Sequence, residues 1–374
     1  MPLLRTINPV FRPSISWLRL PCSSIHRPVA LQLRHNVLQR SNHNISRRST
    51  NGRQDKPSKP PRTYFQEKAS VKPQVIIEAP PADNEYGPGH FPRVKVQYLR
   101  PAIWAIFASW GIYEFLAYLE AKKQLKNEPR RNPFEIRVRS RESAGPQEVL
   151  STYWKQLDSI SQLGTGIIGA NVASHLGGML VPGLWQRFWH TPARNVSYTL
   201  LTSTFVHSGA MHLGFNMYCG YNFIQPVGHS RLFDGNAYHL LSFYLGTGIL
   251  SGFAQHWSTA IARQTASVPP AFIPSGGASG AIFGILAVFC MQYPDAGLGI
   301  IFLPFSIPAL YALPGVMAFD LAGVFGAFPK LHLGHAAHFS GAMIGICYSL
   351  FNGKEQLWNP LVERHKKRLQ KRKS

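Results

Sequence analysis

The chain has 374 residues, 45% of them apolar, and a formal net charge of +22. Its mean hydropathy is near zero (−0.08) because basic, polar ends balance a strongly apolar middle. Charge concentrated in the ends speaks for targeting and surface contacts, not for fold. No zinc-finger spacing, aromatic–basic interleaving or helix-turn-helix pattern supports nucleic-acid binding.

Arg5, Arg12, Arg19, Arg27, Arg34, Arg40, Arg47, Arg48 and Arg53 all precede the first acidic residue, Asp55, with serines between them. An Arg-rich, Ser-rich, acid-free start is the composition of an organelle transit peptide, and it lacks the uninterrupted apolar stretch of a secretory signal. Residues 1–54 are therefore expected to be a mitochondrial presequence, and residues 55–97, rich in Pro, Lys, Gln and Glu, a disordered linker. Residues 98–121 read as a first membrane-crossing helix, interrupted by Glu114, which must be neutral, paired or near an interface. A polar, helix-prone linker follows over 122–158.

Six more apolar stretches come next: Leu163–Leu180, Met211–Val227, Ala237–Phe253, Ser279–Met291, Ala309–Phe325 and Ala336–Phe351. Several fall short of the ~20 residues a free spanning helix needs, which is tolerable where a helix starts below the surface in a wet cavity. The expected fold is an all-α polytopic membrane protein, with a six-helix core over 159–353 and a basic tail over 354–374. Cys219, Cys290 and Cys347 are scattered through these stretches and make no disulfide framework.

Alternation fixes a relation between the six. The second, fourth and sixth run the same way, so His212 and Asn216, Ser279, and His338, each at the start of its stretch, share one leaflet. A serine becomes a nucleophile when a base takes its proton, and histidine is the usual base. Ser279 follows Pro274-Ser275-Gly276-Gly277 and opens a helix, whose first N–H groups and dipole suit an oxyanion. Gly280 and Gly284, like Gly341 and Gly345, are spaced i, i+4, a small-residue face that lets helices approach closely. His212 and Asn216 lie one turn apart and can both donate to a tetrahedral oxygen.

Competing chemistries are weaker. No soluble-sheet pattern accompanies Ser279, as a hydrolase elbow would need. His332, His335 and His338 are three apart, but no His-Glu-x-x-His exists to make a zinc protease, so no metal is expected. Asp320 is the single carboxylate of the fifth stretch. An aspartic protease needs two, so Asp320 reads as a structural polar contact.

Gly277-Ala278-Ser279-Gly280 with Gly284, Ala337-His338 with Gly341 and Gly345, and His212 with Asn216 resemble the signature of rhomboid intramembrane serine proteases. The extra helix ahead of six, the presequence-like start, Thr165–Asn171, Ile300–Pro304 and Phe319–Gly323 resemble its mitochondrial, presenilin-associated rhomboid-like branch. The resemblance covers about Tyr153 to Trp358. It implies a rhomboid-like 1+6 helix arrangement and a Ser279–His338 dyad without a third carboxylate. It also implies an oxyanion site from His212, Asn216 and the Ser279 N–H. The implied reaction is cofactor-free endopeptidase cleavage in or near transmembrane segments of other proteins of the mitochondrial inner membrane. Two features depart from the family pattern: the loop Trp185-Gln186-Arg187-Phe188-Trp189, and Phe339-Ser340 after the histidine. The rival reading is an inactive rhomboid-like protein that binds membrane clients. A transporter would need broken helices repeated in two halves, and none is found.

Overall fold

In the computed structural model of the protein, the residues described are 91–127, 145–262, 268–299, 306–328, 331 and 333–372. The expected presequence, most of the first linker, the middle of the second, Ile300–Pro304 and His332 lie outside them. The helices are α1 (Leu99–Asn127), α2 (Pro146–Gln156), α3 (Ser159–Leu180), α4 (Pro182–Gln186), α5 (Thr199–Thr202), α6 (Ala210–Gly228), α7 (Ala237–Ser258), α8 (Ser279–Gln292), α9 (Ala309–Val324), α10 (His335–Leu350) and α11 (Asn359–Lys371). A short antiparallel ribbon, β1 (Gly297–Gly299) with β2 (Ser306–Pro308), links α8 to α9 and pairs Leu298 with Ile307.

Helix boundaries follow local chemistry. Asp158 caps α3, its carboxylate accepting from Ser161 N at 2.7 Å. That bond to the charged form holds its carboxyl below the usual range. Asn236 caps α7 in the same way, accepting from His239 N at 3.0 Å.

The centre of the bundle is α8. Its Gly280, Ala281, Ile282, Gly284, Ile285, Ala287, Val288 and Cys290 are all buried, as expected of a helix apolar on every side. α6, α7, α9 and α10 all pack on it. Ile160 and Ile167 of α3, Ile224 and Val227 of α6, and Phe243 and Tyr244 of α7 complete the main core. The outward faces are also apolar: Phe107, Met179, Leu180, Met211, Tyr221, Tyr311, Phe325 and Phe351 are each at least two-thirds exposed. Apolar surface this extensive marks contact with lipid or a partner. By length and composition, α1 is the one helix among the described residues able to cross a bilayer alone; α8 and α9 are apolar but short.

Two elements differ from expectation. α1 runs six residues past 121, because Lys122–Lys126 are good helix formers with no Gly or Pro to stop them. The C-terminal segment is more than a polar tail: α11 docks on α1. Trp358, Leu361 and Val362 are buried against Tyr113, Leu116, Ala117 and Ala121. Glu114 finds its partners here, accepting from Arg364 Nη1 at 2.9 Å and His365 Nε2 at 2.8 Å. The apolar face of α11 was masked by the surrounding lysines and arginines.

This ion pair is partly exposed, so its contribution is modest. A double-mutant cycle of Glu114→Gln with Arg364→Gln, read by thermal unfolding in detergent, is expected to give a coupling of roughly 0.5–1 kcal/mol. Coupling indistinguishable from zero would make α11 docking purely apolar.

Candidate active site

Ser279 is the first residue of α8 and is reached through a loop held at several points. His190 and Ser275 exchange backbone hydrogen bonds, N to O, at 3.1 and 2.8 Å. Gly277 N donates to Ser203 C=O at 2.8 Å, and Ala278 N donates to His207 Nε2 at 3.3 Å. His190 is itself buried, which pushes its imidazole down to about 3 and keeps it neutral. Gly277 has φ +139°, a conformation that glycine adopts freely. A Cβ there would also meet the His212 ring, 2.8 Å from Cε1.

Two glycine pairs set the distance from α8 to α10. A Cβ on Gly341 would collide with the carbonyl oxygen of Gly280, and one on Gly345 with that of Gly284. On α8 itself, a Cβ on Gly280 would collide with the Ser251 side chain, and one on Gly284 would come 2.6 Å from Thr247 Cγ2. The absence of these Cβ atoms lets the two backbones touch. His338, in the first turn of α10, then lies with Nε2 2.9 Å from Ser279 Oγ. Gln255 of α7 steadies that turn, its Oε1 accepting from Ala337 N at 3.2 Å, one of the N–H groups a helix start leaves unpaired.

The His338 ring is fixed on both sides. Phe283, one turn beyond Ser279 on α8, stacks on it at 4.2 Å and 6°. Its Nδ1 lies 3.2 Å from Asp320 Oδ1, on α9. Asp320 is 1% exposed, and the same oxygen is 2.7 Å from His335 Nδ1. One expectation needs correcting: a carboxylate does reach the histidine, and Asp320, read as a structural polar contact, makes its contacts with both His335 and His338. Spacing along the chain placed Asp320 alone on its helix. Only the packing of α9 against α10 brings it to His338.

His212 and Asn216 lie on α6 beside this group. The His212 ring stands against Gly277, and its Nδ1 is 3.2 Å from Ser208 Oγ. Asn216 is buried, and its Nδ2 donates to the His212 carbonyl at 2.8 Å, which leaves that nitrogen a second hydrogen. Ser340 bonds back to Ala336 C=O at 2.7 Å, so its hydroxyl is satisfied within α10. Sequence reasoning missed Phe283, His207, Gln255 and the Asp320–His335 contact. Phe283 alone was open to inference, because i+4 on α8 puts it on the face of Ser279.

A hydroxyl in hydrogen-bond contact with an imidazole, beside a helix start and two further donors, is the apparatus of acyl transfer. Parts of the chain are similar to known proteins. Residues 194–355 match the family described as "Rhomboid domain". The chain is 32% identical over 241 residues to the Homo sapiens "Presenilin-associated rhomboid-like protein, mitochondrial", covering 60% of this chain and 58% of that protein. The Mus musculus protein of the same name is 31% identical over 241 residues, with the same coverage. The Saccharomyces cerevisiae "Rhomboid protein 1, mitochondrial" is 28% identical over 202 residues, covering 50% of this chain and 52% of that protein. The matches thus span little more than half the length of these relatives. Over residues 194–355 the chain is similar to the rhomboid family.

Enlarging Gly341 should force the two helices apart. Gly341→Val is expected to destabilise by roughly 1–3 kcal/mol, as overpacking does, and to slow labelling of Ser279 by a fluorophosphonate. A variant of wild-type stability and reactivity would show that the close contact is dispensable.

Proposed function

We propose that this chain is an intramembrane serine endopeptidase of the mitochondrial inner membrane that cleaves other membrane proteins in or near their transmembrane segments. The observation that carries the reading is the 2.9 Å contact of Ser279 Oγ with His338 Nε2 beneath an otherwise apolar surface. Polar, ionisable groups are expensive among apolar helices and are kept where they work.

In this reading His338 Nε2 takes the Ser279 proton as Oγ bonds to the scissile carbonyl carbon. The resulting oxyanion receives hydrogen bonds from the Ser279 N–H, His212 and Asn216. The intermediate collapses by breaking the C–N bond, and His338 passes the proton to the leaving amine. Water, activated by the same imidazole, then releases the acyl group from Ser279. No cofactor or metal enters any step. A peptide bond locked in helical hydrogen bonds cannot reach the nucleophile, so cleavage calls for a locally unwound substrate.

The arrangement in the membrane would be 1+6: α1, then α3, α6, α7, α8, α9 and α10 crossing the bilayer, with the exposed apolar side chains of these helices against lipid. Seven crossings put the termini on opposite sides, with the active-site mouth on the side of the mature N-terminus. The mitochondrial relatives and the acid-free, Arg-rich start over 1–54 support import, and the role would be protein processing.

The test is cleavage of a transmembrane reporter by the full chain in proteoliposomes. Ser279→Ala and His338→Ala should each abolish turnover while leaving thermal unfolding unchanged. Asn216→Ala should lower turnover about tenfold to a thousandfold, as lost oxyanion donors do. Substantial cleavage by Ser279→Ala would end the proposal. Failure of the intact protein to react with a fluorophosphonate would favour a client-binding role without chemistry.

A further inference from the structure

The polar cluster at the active site does not stop at the imidazole. Asp320 sits on α9, whereas Ser279 opens α8 and His338 opens α10, so three helices meet at one chain of contacts. Asp320 Oδ1 lies 3.2 Å from His338 Nδ1, and His338 Nε2 lies 2.9 Å from Ser279 Oγ. We propose that Asp320 is a positioning residue for the reaction: its carboxylate holds His338 in the tautomer that leaves Nε2 free to accept the Ser279 proton. The inference rests on the protease reading above and adds to it a group from a third helix.

The proposed role fixes the tautomer. An ionised carboxylate only accepts hydrogen bonds. With Asp320 as the carboxylate of our proposal, the hydrogen of the 3.2 Å contact sits on His338 Nδ1, and a neutral ring with hydrogen on Nδ1 has a bare Nε2. That is the state a general base needs. When the ring takes the serine proton, the positive charge forms 3.2 Å from a carboxylate that is 1% exposed. Little water is available there to weaken their attraction.

Asp320 is itself held in place. His335 Nδ1 lies 2.7 Å from the same Oδ1, while His335 Nε2 is buried with no hydrogen-bond partner among the described residues. A Cβ on Gly323, three residues after Asp320, would fall within the His335 ring, so glycine there lets α9 close on α10. Phe319 and Phe328 flank His335 at 5.5 and 6.2 Å and complete the enclosure. On the far side, Phe283 stacks face to face on the His338 ring, which opposes its tilting. A purely structural Asp320 would need only His335; the second contact, to His338, ties it to the reaction.

The experiment uses the full chain in proteoliposomes, with its histidines 15N-labelled and the His338 resonances assigned by comparison with His338→Gln. Protonated and bare ring nitrogens resonate far apart, so the His338 tautomer is read directly, whether or not the protein cleaves anything. Wild type should show hydrogen on Nδ1. Asp320→Asn, similar in size, should lose that preference. It should also cut kcat roughly 10²–10⁴-fold with little change in KM, the pattern of a triad that has lost its carboxylate. Asp320→Glu should recover at least part of the rate lost in Asp320→Asn.

A wild-type His338 bare at Nδ1 would overturn the proposal outright, even if every Asp320 variant failed to fold. Asp320→Asn within threefold of wild-type turnover, with Ser279→Ala inactive, would also overturn it while leaving the protease reading intact. If wild type and Ser279→Ala are equally inactive, the protease reading fails. The tautomer of His338 then still decides whether Asp320 sets that ring.

Discussion

The backbone contact between α8 and α10 is the constraint on which the site depends. Helix axes usually stay 8–10 Å apart because side chains intervene. Here the chain removes the side chains at the crossing: Gly341 faces the Gly280 carbonyl and Gly345 faces that of Gly284. Only at such separation can side chains in the first turns of two helices share one hydrogen bond. The Ser279–His338 contact is thus a consequence of glycine placement beside and below it in the bundle.

Around this contact the molecule supplies an unusually polar lining for an apolar interior. Asp320, His335, His338, His207 and Asn216 are all buried. Burying such groups costs free energy unless they find partners, and the partners come from different helices. Asp320 of α9 meets two histidines of α10, and His207 meets the loop before α8. The polar network therefore specifies how the helices are arranged as well as what they can do. Apolar packing alone would tolerate a slide or rotation of α9; hydrogen bonds of about 3 Å with defined angles would not.

The periphery is fastened by similar means. Ahead of α1, Gln97 and Lys95 bond to Asn195, and His256 Nε2 donates to the Gln97 carbonyl at 2.8 Å. At its other end, Glu114 engages Arg364 and His365 of α11. α1 is consequently bound to α7 and α11 through both apolar and polar contacts. The loop that delivers Ser279 is braced by the His190–Ser275 pairing at the same end of the bundle as the site.

Much of this was legible in the chain itself. Six apolar stretches are helices because a long apolar run without charges has few other stable forms. Ser279 and His338 stood out because ionisable groups at helix starts among apolar residues need a reason to be there. The glycine spacing announced a close crossing, and with Ser279 and His338 at the matching ends it pointed to α8 and α10. What the sequence could not give were the contacts between distant residues whose local surroundings look ordinary. Asp320 resembled any isolated polar residue until α9 packed on α10, and the basic tail hid the apolar stripe of α11. Periodicity reports which face of a helix is apolar, because that depends only on neighbours three and four residues away. Which two faces meet is decided by the packing of the whole bundle, and that is where the carboxylate found its histidine.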